Sequence, residues 1–358
     1  MNSTIRRLLK SAGMSLRLDR LFRYTYALLQ EPALDDTPDR VIGVFTDSCG
    51  NRIELLAGLR DRVAPYWKGM VHAPKTPAPP APRAGLAKIK TMRDRFDRVD
   101  ALLRAYSLSF AGQDVLEVGA HDGATAYALA QAGARSVLAT DVAAYYITQT
   151  RNGVVRDDAV AEKNAELARM RDAYRTSVDE RTAQRVAFQE DDICSSSLQS
   201  DSVDAVMSLE VLEHLMRPED AFREIARILR PGGFAFHEYN PYFALNGGHS
   251  LCTLDFPWGH ARLDAADFER YLDERRPGEK SVALSFYRNN LNRMTLWQLR
   301  QYAQQSGMIL LSLLPWSSER HLAILRSETL TQCSRVYPSA ELIDLISPTV
   351  WVLLKKDE

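Results

Sequence analysis

Only 4 cysteines stand among 358 residues, and no two of them form a CxxC pair. Cys49, Cys194, Cys252 and Cys333 lie far apart, which excludes a disulfide framework and a cysteine-rich zinc knuckle. They read as unpaired thiols in a reducing compartment. No apolar run approaches the roughly 18–20 residues that a membrane-spanning helix needs. The N-terminus lacks the apolar core of a signal peptide, so the expected location is the cytoplasm. The formal net charge is only -1, so no global basic field draws the chain to nucleic acid. No internal repeat is visible. What is present is ordinary for a globular protein: 46% hydrophobic and 25% charged residues. That length and composition support one large core, or a domain with an appendage.

The first 74 residues read as a helical region. Its opening is locally basic, with Arg6, Arg7, Lys10, Arg17, Arg20 and Arg23 against Asp19 alone, and Leu8, Leu9, Leu16, Leu21 and Phe22 on an apolar face. Such a helix normally packs on its own domain with a solvated basic face. The same pattern also fits peripheral contact with anionic lipid at the inner face of a membrane. Residues 75–85, KTPAPPAPRAG, read as a stiff proline-rich linker. A helix is expected over about 86–106, and the rest of the chain, 86–358, as one domain.

From Asp114 onward strand-like and helix-like segments alternate. DVLEVG, SVLATD, RVAFQED, VDAVMSLE, FAFHEY, MILLSLL and TVWVLLKK read as strands. Phe222, Ile225 and Leu229 share one helical face, entered by Pro218 and stopped at Pro231-Gly232-Gly233. Thr295 reads as an N-cap and Gly307 as a C-cap. This alternation predicts an α/β, doubly wound, mostly parallel sheet whose ligand sits outside the carboxyl ends of the strands. A polar-aromatic insertion over 240–293 follows the fifth strand and reads as a substrate lid.

The stretch VLEVGAHDG places a carboxylate, a glycine and a second glycine at the first strand-to-helix turn. A dinucleotide fingerprint needs three glycines here and finds only Gly119, with His121 and Ala124 in the other places. An acidic residue, one apolar residue and GxxxG instead resemble motif I of the class I S-adenosylmethionine-dependent methyltransferases. Further motifs follow in order: Asp141 at 18 positions after Gly123, QEDDI, VDAVMSLEVLEHL and LRPGGFAF. The resemblance covers about 114–356 apart from the insertion. It implies a seven-stranded sheet with an antiparallel last strand, and S-adenosylmethionine as cofactor. It also implies a cofactor site of Glu117, Gly119, Ala120, His121, Gly123, Asp141, Val142, Asp192, Ile193 and Leu209. Asp141 would take the ribose hydroxyls, since a carboxylate has two oxygens that only accept hydrogen bonds. Asp192 would meet the adenine amino group, with Ile193 against the ring. His121 is the departure, standing where the family usually has glycine.

The acceptor would arrive over the ends of the fourth and fifth strands. The insertion offers Asn240, Tyr242, Asn246, His249, Trp258, His260, Tyr287, Arg288, Asn292 and Arg293, a set that suits a sugar ring or the core of a lid. His249 and His260 are the general-base candidates, because imidazole titrates near neutral pH. NPYF follows strand five rather than strand four, which argues against the NPPY route to amino-group methylation. Glu210, Glu213 and His214 form ExxEH, which helical spacing would gather on one side. Similar residues bind a divalent metal in small-RNA 2′-O-methyltransferases and in some ubiquinone-biosynthesis O-methyltransferases, with a further downstream ligand such as His249 or His260. The same letters also cap and pack the helix start in many relatives, and on that reading no metal is assigned.

These features are read as an O-directed methyltransferase acting on a polar acceptor, a sugar or a glycan or lipid-linked saccharide. A quinone- or phenol-like small molecule is the alternative acceptor. The rival from another class is a catalytically silent cofactor-binding scaffold, favoured only by His121.

Overall fold

The computed structural model describes residues 40–65, 67–68, 79–148 and 157–357. The basic opening segment and residues 75–78 of the proline-rich stretch lie outside them. The described part of the N-terminal region is not wholly helical. Strands β1 (Val41–Thr46) and β2 (Arg52–Leu56) form an antiparallel hairpin, followed by the short helix α1 (Leu59–Val63). The local signal was there: VIGVFT is rich in β-branched and aromatic residues, and DSCGN is a turn. Asp47 Oδ1 accepts from the backbone N–H of Cys49 and Asn51, and Gly50 takes the left-handed backbone at φ 82°. The linker is also shorter than expected, because Pro82 already begins helix α2 (Pro82–Ala105), whose first turn tolerates proline.

Next come β3 (Asp114–Val118), α3 (Ala124–Gln131), β4 (Ser136–Asp141), α4 (Ala143–Thr148), α5 (Asp157–Arg175), α6 (Glu180–Ala183), β5 (Val186–Glu190), β6 (Val203–Leu209), α7 (Pro218–Ile228) and β7 (Leu229–Tyr239). The insertion carries α8 (Gly259–Arg262), α9 (Ala265–Arg275) and α10 (Lys280–Asn289). The chain closes with α11 (Leu296–Gln305), β8 (Met308–Trp316), α12 (Glu319–Ile324), α13 (Ser327–Val336), α14 (Leu342–Ile346) and β9 (Thr349–Lys356). The expected turn LRPGG is thus the start of β7. The charged stretch between β4 and β5 carries the separate helices α5 and α6.

Strands β3 to β9 form one seven-stranded sheet in the order β5-β4-β3-β6-β7-β9-β8. β3 to β7 are parallel, and β9 runs antiparallel between β7 and β8. The central strands are covered on both faces, which is why they read as near-continuous apolar runs. On one face α2 sends Ile89, Phe96, Val99 and Leu103 into a core with Tyr127, Phe234 and Trp351. On the other, Phe222 and Ile225 of α7 and Leu299 of α11 pack on Leu116, Val206 and Val352.

A third core joins the hairpin to the insertion. Phe45, Ile53 and Leu55 pack with Tyr242, Trp258, Phe268, Tyr271 and Phe286. This corrects the reading of Tyr242, Trp258 and Tyr287 of the insertion as substrate contacts. Tyr242 and Trp258 are each 1% exposed and Tyr287 3%. Tyr287 stacks on Phe268 at 4.2 Å, and Trp258 Nε1 donates to the Leu345 carbonyl at 3.1 Å. Aromatic side chains bury large apolar areas, and here that area goes into holding the lid together.

Candidate functional site

A cavity of about 550 Å³ opens at the carboxyl ends of β3, β4 and β6, a size suited to a small-molecule site. Its wall contains Gly119, His121, Asp141, Val142, Asp192, Ile193 and Leu209, all expected at the cofactor. Glu117, Ala120 and Gly123 do not reach it. Glu117 and Ala120 lie beneath the turn at 3% exposure, and Gly123 is the N-cap of α3.

The turn explains its own sequence. Gly119 sits at φ 77°, and a Cβ there would come within 2.3 Å of Val211 Cγ2. Gly123 sits at φ 85°, where a Cβ would meet the Phe188 ring at 2.5 Å. His121 also takes a left-handed backbone, φ 43°, a conformation that glycine adopts without cost and histidine more readily than most residues. Its carbonyl accepts from Arg171 Nε at 3.0 Å, and its ring packs on Tyr146 with centroids 5.1 Å apart. The side chain lies in the cavity wall, half-exposed. Burial is the main cause lowering its pKa, opposed by the Asp122 and Asp141 carboxylates.

Asp141, at the end of β4, is tied into the wall by three hydrogen bonds. It accepts from the His121 N–H, from the Val142 N–H at 2.7 Å and from the Tyr146 hydroxyl at 2.8 Å. A ribose diol arriving here must compete with Tyr146, a residue that the sequence reading passed over although it lies just beyond the end of β4. Tyr146→Phe is therefore expected to tighten S-adenosylhomocysteine binding by about 3-fold, the scale of one neutral hydrogen bond. A calorimetric titration that finds instead a tenfold loss would place the hydroxyl on the ligand.

Asp191 and Asp192 differ in what they have left to offer. Both Asp191 oxygens are taken by Ser196 and Ser197. Asp192 caps the turn through the Cys194 N–H at 2.9 Å and meets Arg217 at 3.3 Å, yet its side chain stays 46% exposed. Beneath the turn, the Glu117 carboxyl is buried, and its Oε2 has no partner among the described residues. Burial, then the nearby Asp141 and Asp122 carboxylates, pushes its pKa well above the ordinary value.

The far end of the cavity is lined by Tyr145, His214, Asn289 and Asn290, with Glu210, Met216 and Arg217 also in the wall. The sequence reading named none of these four end residues as acceptor contacts. Asn289 and Asn290 close the insertion at the end of α10, a place that only the tertiary fold brings to the cavity. Helical spacing does not hold across ExxEH: Glu210 sits at φ 59°, ahead of the 3-10 turn Leu212–His214. Glu210 instead pairs with Arg95 of α2 at 3.1 Å, and Arg95 also holds Glu238.

The two general-base candidates are not in the cavity wall. His260 is 1% exposed, its Nε2 bonds the Tyr242 carbonyl at 2.7 Å, and burial pushes its pKa down to about 4. It is a structural histidine of the lid core, which corrects the sequence reading. His249 stands against His214, ring centroids 4.9 Å apart, with its Nε2 buried and without a partner among the described residues. Glu213, 1% exposed, lies beside both. Burial drives these three toward their neutral forms: His249 is lowered, His214 falls to about 3, and Glu213 is pushed up to about 8 with Glu210 and Glu238 adding to the rise.

Residues 116–237 match the family model of a methyltransferase domain. Over 74 residues the chain is 41% identical to an uncharacterized methyltransferase of Mycobacterium ulcerans (strain Agy99). That stretch is 21% of this chain and spans only 29% of the relative's length. Two solved structures are similar at low identity. An S-adenosylmethionine-dependent methyltransferase from Mesorhizobium loti has TM-score 0.41 and 15% identity, over 71% of this chain and 96% of that one. Phosphoethanolamine N-methyltransferase 2 of Haemonchus contortus, in complex with S-adenosyl-L-methionine, has TM-score 0.42 and 16% identity, over 72% and 52%.

Proposed function

We propose, on the premise that residues 116–237 are a class I S-adenosylmethionine-dependent methyltransferase domain, that the chain methylates a hydroxyl of a polar acceptor. The observation that carries this reading is the convergence on one cavity of a glycine turn, the carboxylate Asp141 and the half-exposed Asp192. The residues fit the cofactor: in the cavity wall Asp141 offers acceptors to a diol and Asp192 to an amino group. When bound, S-adenosylmethionine would supply a methyl group on a sulfonium; its transfer to a hydroxyl would form a C–O bond, break the C–S bond to leave a neutral thioether, and release the hydroxyl proton to solvent. The protein's share is mainly position. Gly119 lets the backbone approach, and Ile193 and Leu209 give the wall apolar surface.

The acceptor end favours a hydroxylic molecule, because Tyr145, Asn289 and Asn290 carry groups that hydrogen-bond hydroxyls. A sugar or saccharide is the acceptor class we infer. The buried lid aromatics no longer count toward it; the support is this polar end wall. No histidine of ordinary pKa stands there, since burial holds His214 at about 3, so a simple imidazole base is not part of the reading. The test is transfer of labelled methyl from S-adenosylmethionine to a panel of saccharides and, separately, of phenols and catechols. Label on saccharides supports the reading. Label on phenols alone moves the acceptor class. Cofactor binding with no transfer to any acceptor favours a silent scaffold.

A further inference from the structure

Three side chains at one end of the cavity are gathered with the spacing of metal ligands. Glu213, His214 and His249 each offer one donor atom, and these atoms lie within 4.8 Å of one another. Each side chain is also held in place. Glu213 Oε1 accepts from the Asn240 N–H at 3.1 Å. His214 Nδ1 bonds the Asn290 carbonyl at 2.6 Å, which fixes the proton on Nδ1 and leaves the Nε2 lone pair free. The His249 ring is held edge-on against the His214 ring, centroids 4.9 Å apart. The remaining atoms are the unusual ones. Glu213 Oε2 and His249 Nε2 are both buried and have no partner among the described residues. Buried polar atoms ordinarily find a hydrogen-bond or ligand partner, so two side by side point to a shared one.

We propose that Glu213, His214 and His249 bind one divalent transition-metal ion at the acceptor end of the cavity. One carboxylate and two imidazoles suit manganese, iron(II), cobalt or zinc rather than magnesium or calcium, which want oxygen alone. Second-partner anchoring, here of His214 through Asn290 and of Glu213 through Asn240, is what metal ligands ordinarily show. Glu210 does not belong to the set: it is turned out at φ 59° and paired with Arg95. With only three protein ligands, and with His214 in the cavity wall, the ion keeps open positions toward the cavity. An acceptor hydroxyl taking one of them would be held at the end of the cavity and made more acidic, its proton passing to solvent. That last role rests on the methyl-transfer reading; the metal site itself does not.

The test uses the full chain, stripped with chelator and dialysed. Titration with Mn²⁺ or Zn²⁺, read by calorimetry and by elemental analysis of bound metal, is expected to give one ion per chain. Glu213→Gln and His249→Ala are each expected to weaken that binding by at least about 100-fold, the loss of one ligand of three. Cobalt(II) added to the unmutated chain reads ligation without any variant, through visible absorption bands shaped by imidazole and carboxylate. Wild-type protein that binds no ion at 100-fold excess, or variants that bind as wild type, would overturn the site. S-adenosylhomocysteine binding is measured on the same samples. Metal binding without cofactor binding sinks the methyl-transfer reading alone, and the reverse sinks the metal site alone.

Discussion

Asp141→Ala is expected to weaken S-adenosylhomocysteine binding by about 100-fold, close to 3 kcal/mol, because two hydrogen bonds to a charged carboxylate are lost at once. The same change removes what ties the turn together, since Asp141 accepts from His121, Val142 and Tyr146. Asp141→Asn separates the two effects. It keeps one acceptor oxygen and the shape of the side chain, so the turn should hold while the charge is gone. A calorimetric affinity for Asp141→Asn between wild type and Asp141→Ala, with unchanged thermal unfolding, is the expected outcome. Wild-type affinity in Asp141→Ala would mean that the ribose is not held here.

The second large effect is on stability in mild acid. His237 is fully buried and burial pushes its pKa to about 3; His260 and His321 are buried and fall to about 4. In each case the folded value lies below the unfolded value of about 6.5. The sign follows: their contribution is fully present above pH 6.5 and is lost as pH falls through the folded values, because the unfolded chain takes up protons that the folded chain refuses. At pH 4.5 each of the three should cost about 2 kcal/mol relative to pH 7.5, roughly 6 kcal/mol together before opposing carboxylate effects. That approaches the whole stability of an ordinary domain. Urea unfolding at pH 7.5, 6 and 5 is expected to show a falling midpoint. A flat midpoint over that range would mean that these rings open to water before the chain unfolds.

Much of the cofactor end was legible in the sequence, because the physics there is local. A strand, a turn that needs left-handed backbone at Gly119 and Gly123, and a carboxylate at the end of the next strand are all set within a few residues of one another. Periodicity was equally informative for β3, β6 and β9, whose apolar runs follow from burial on both faces. The hairpin of β1 and β2 was missed for a different reason. Its strands are short, and they hold shape by packing on Tyr271 and other residues more than 200 positions away.

The sequence by itself determined the sheet, the glycine turn and the acidic residues that end its strands, since each depends on propensity and on neighbours close in the chain. The tertiary structure alone decided the rest of the cavity wall and its surroundings. It sank His260, Trp258 and Tyr242 into the lid core, brought Asn289 and Asn290 to the cavity, and turned Glu210 toward Arg95. Of the two histidines that the sequence offered, it set His249 and not His260 against His214 and Glu213. None of these meetings has a spacing to read, because burial and partnership across long loops are fixed by packing and not by sequence distance.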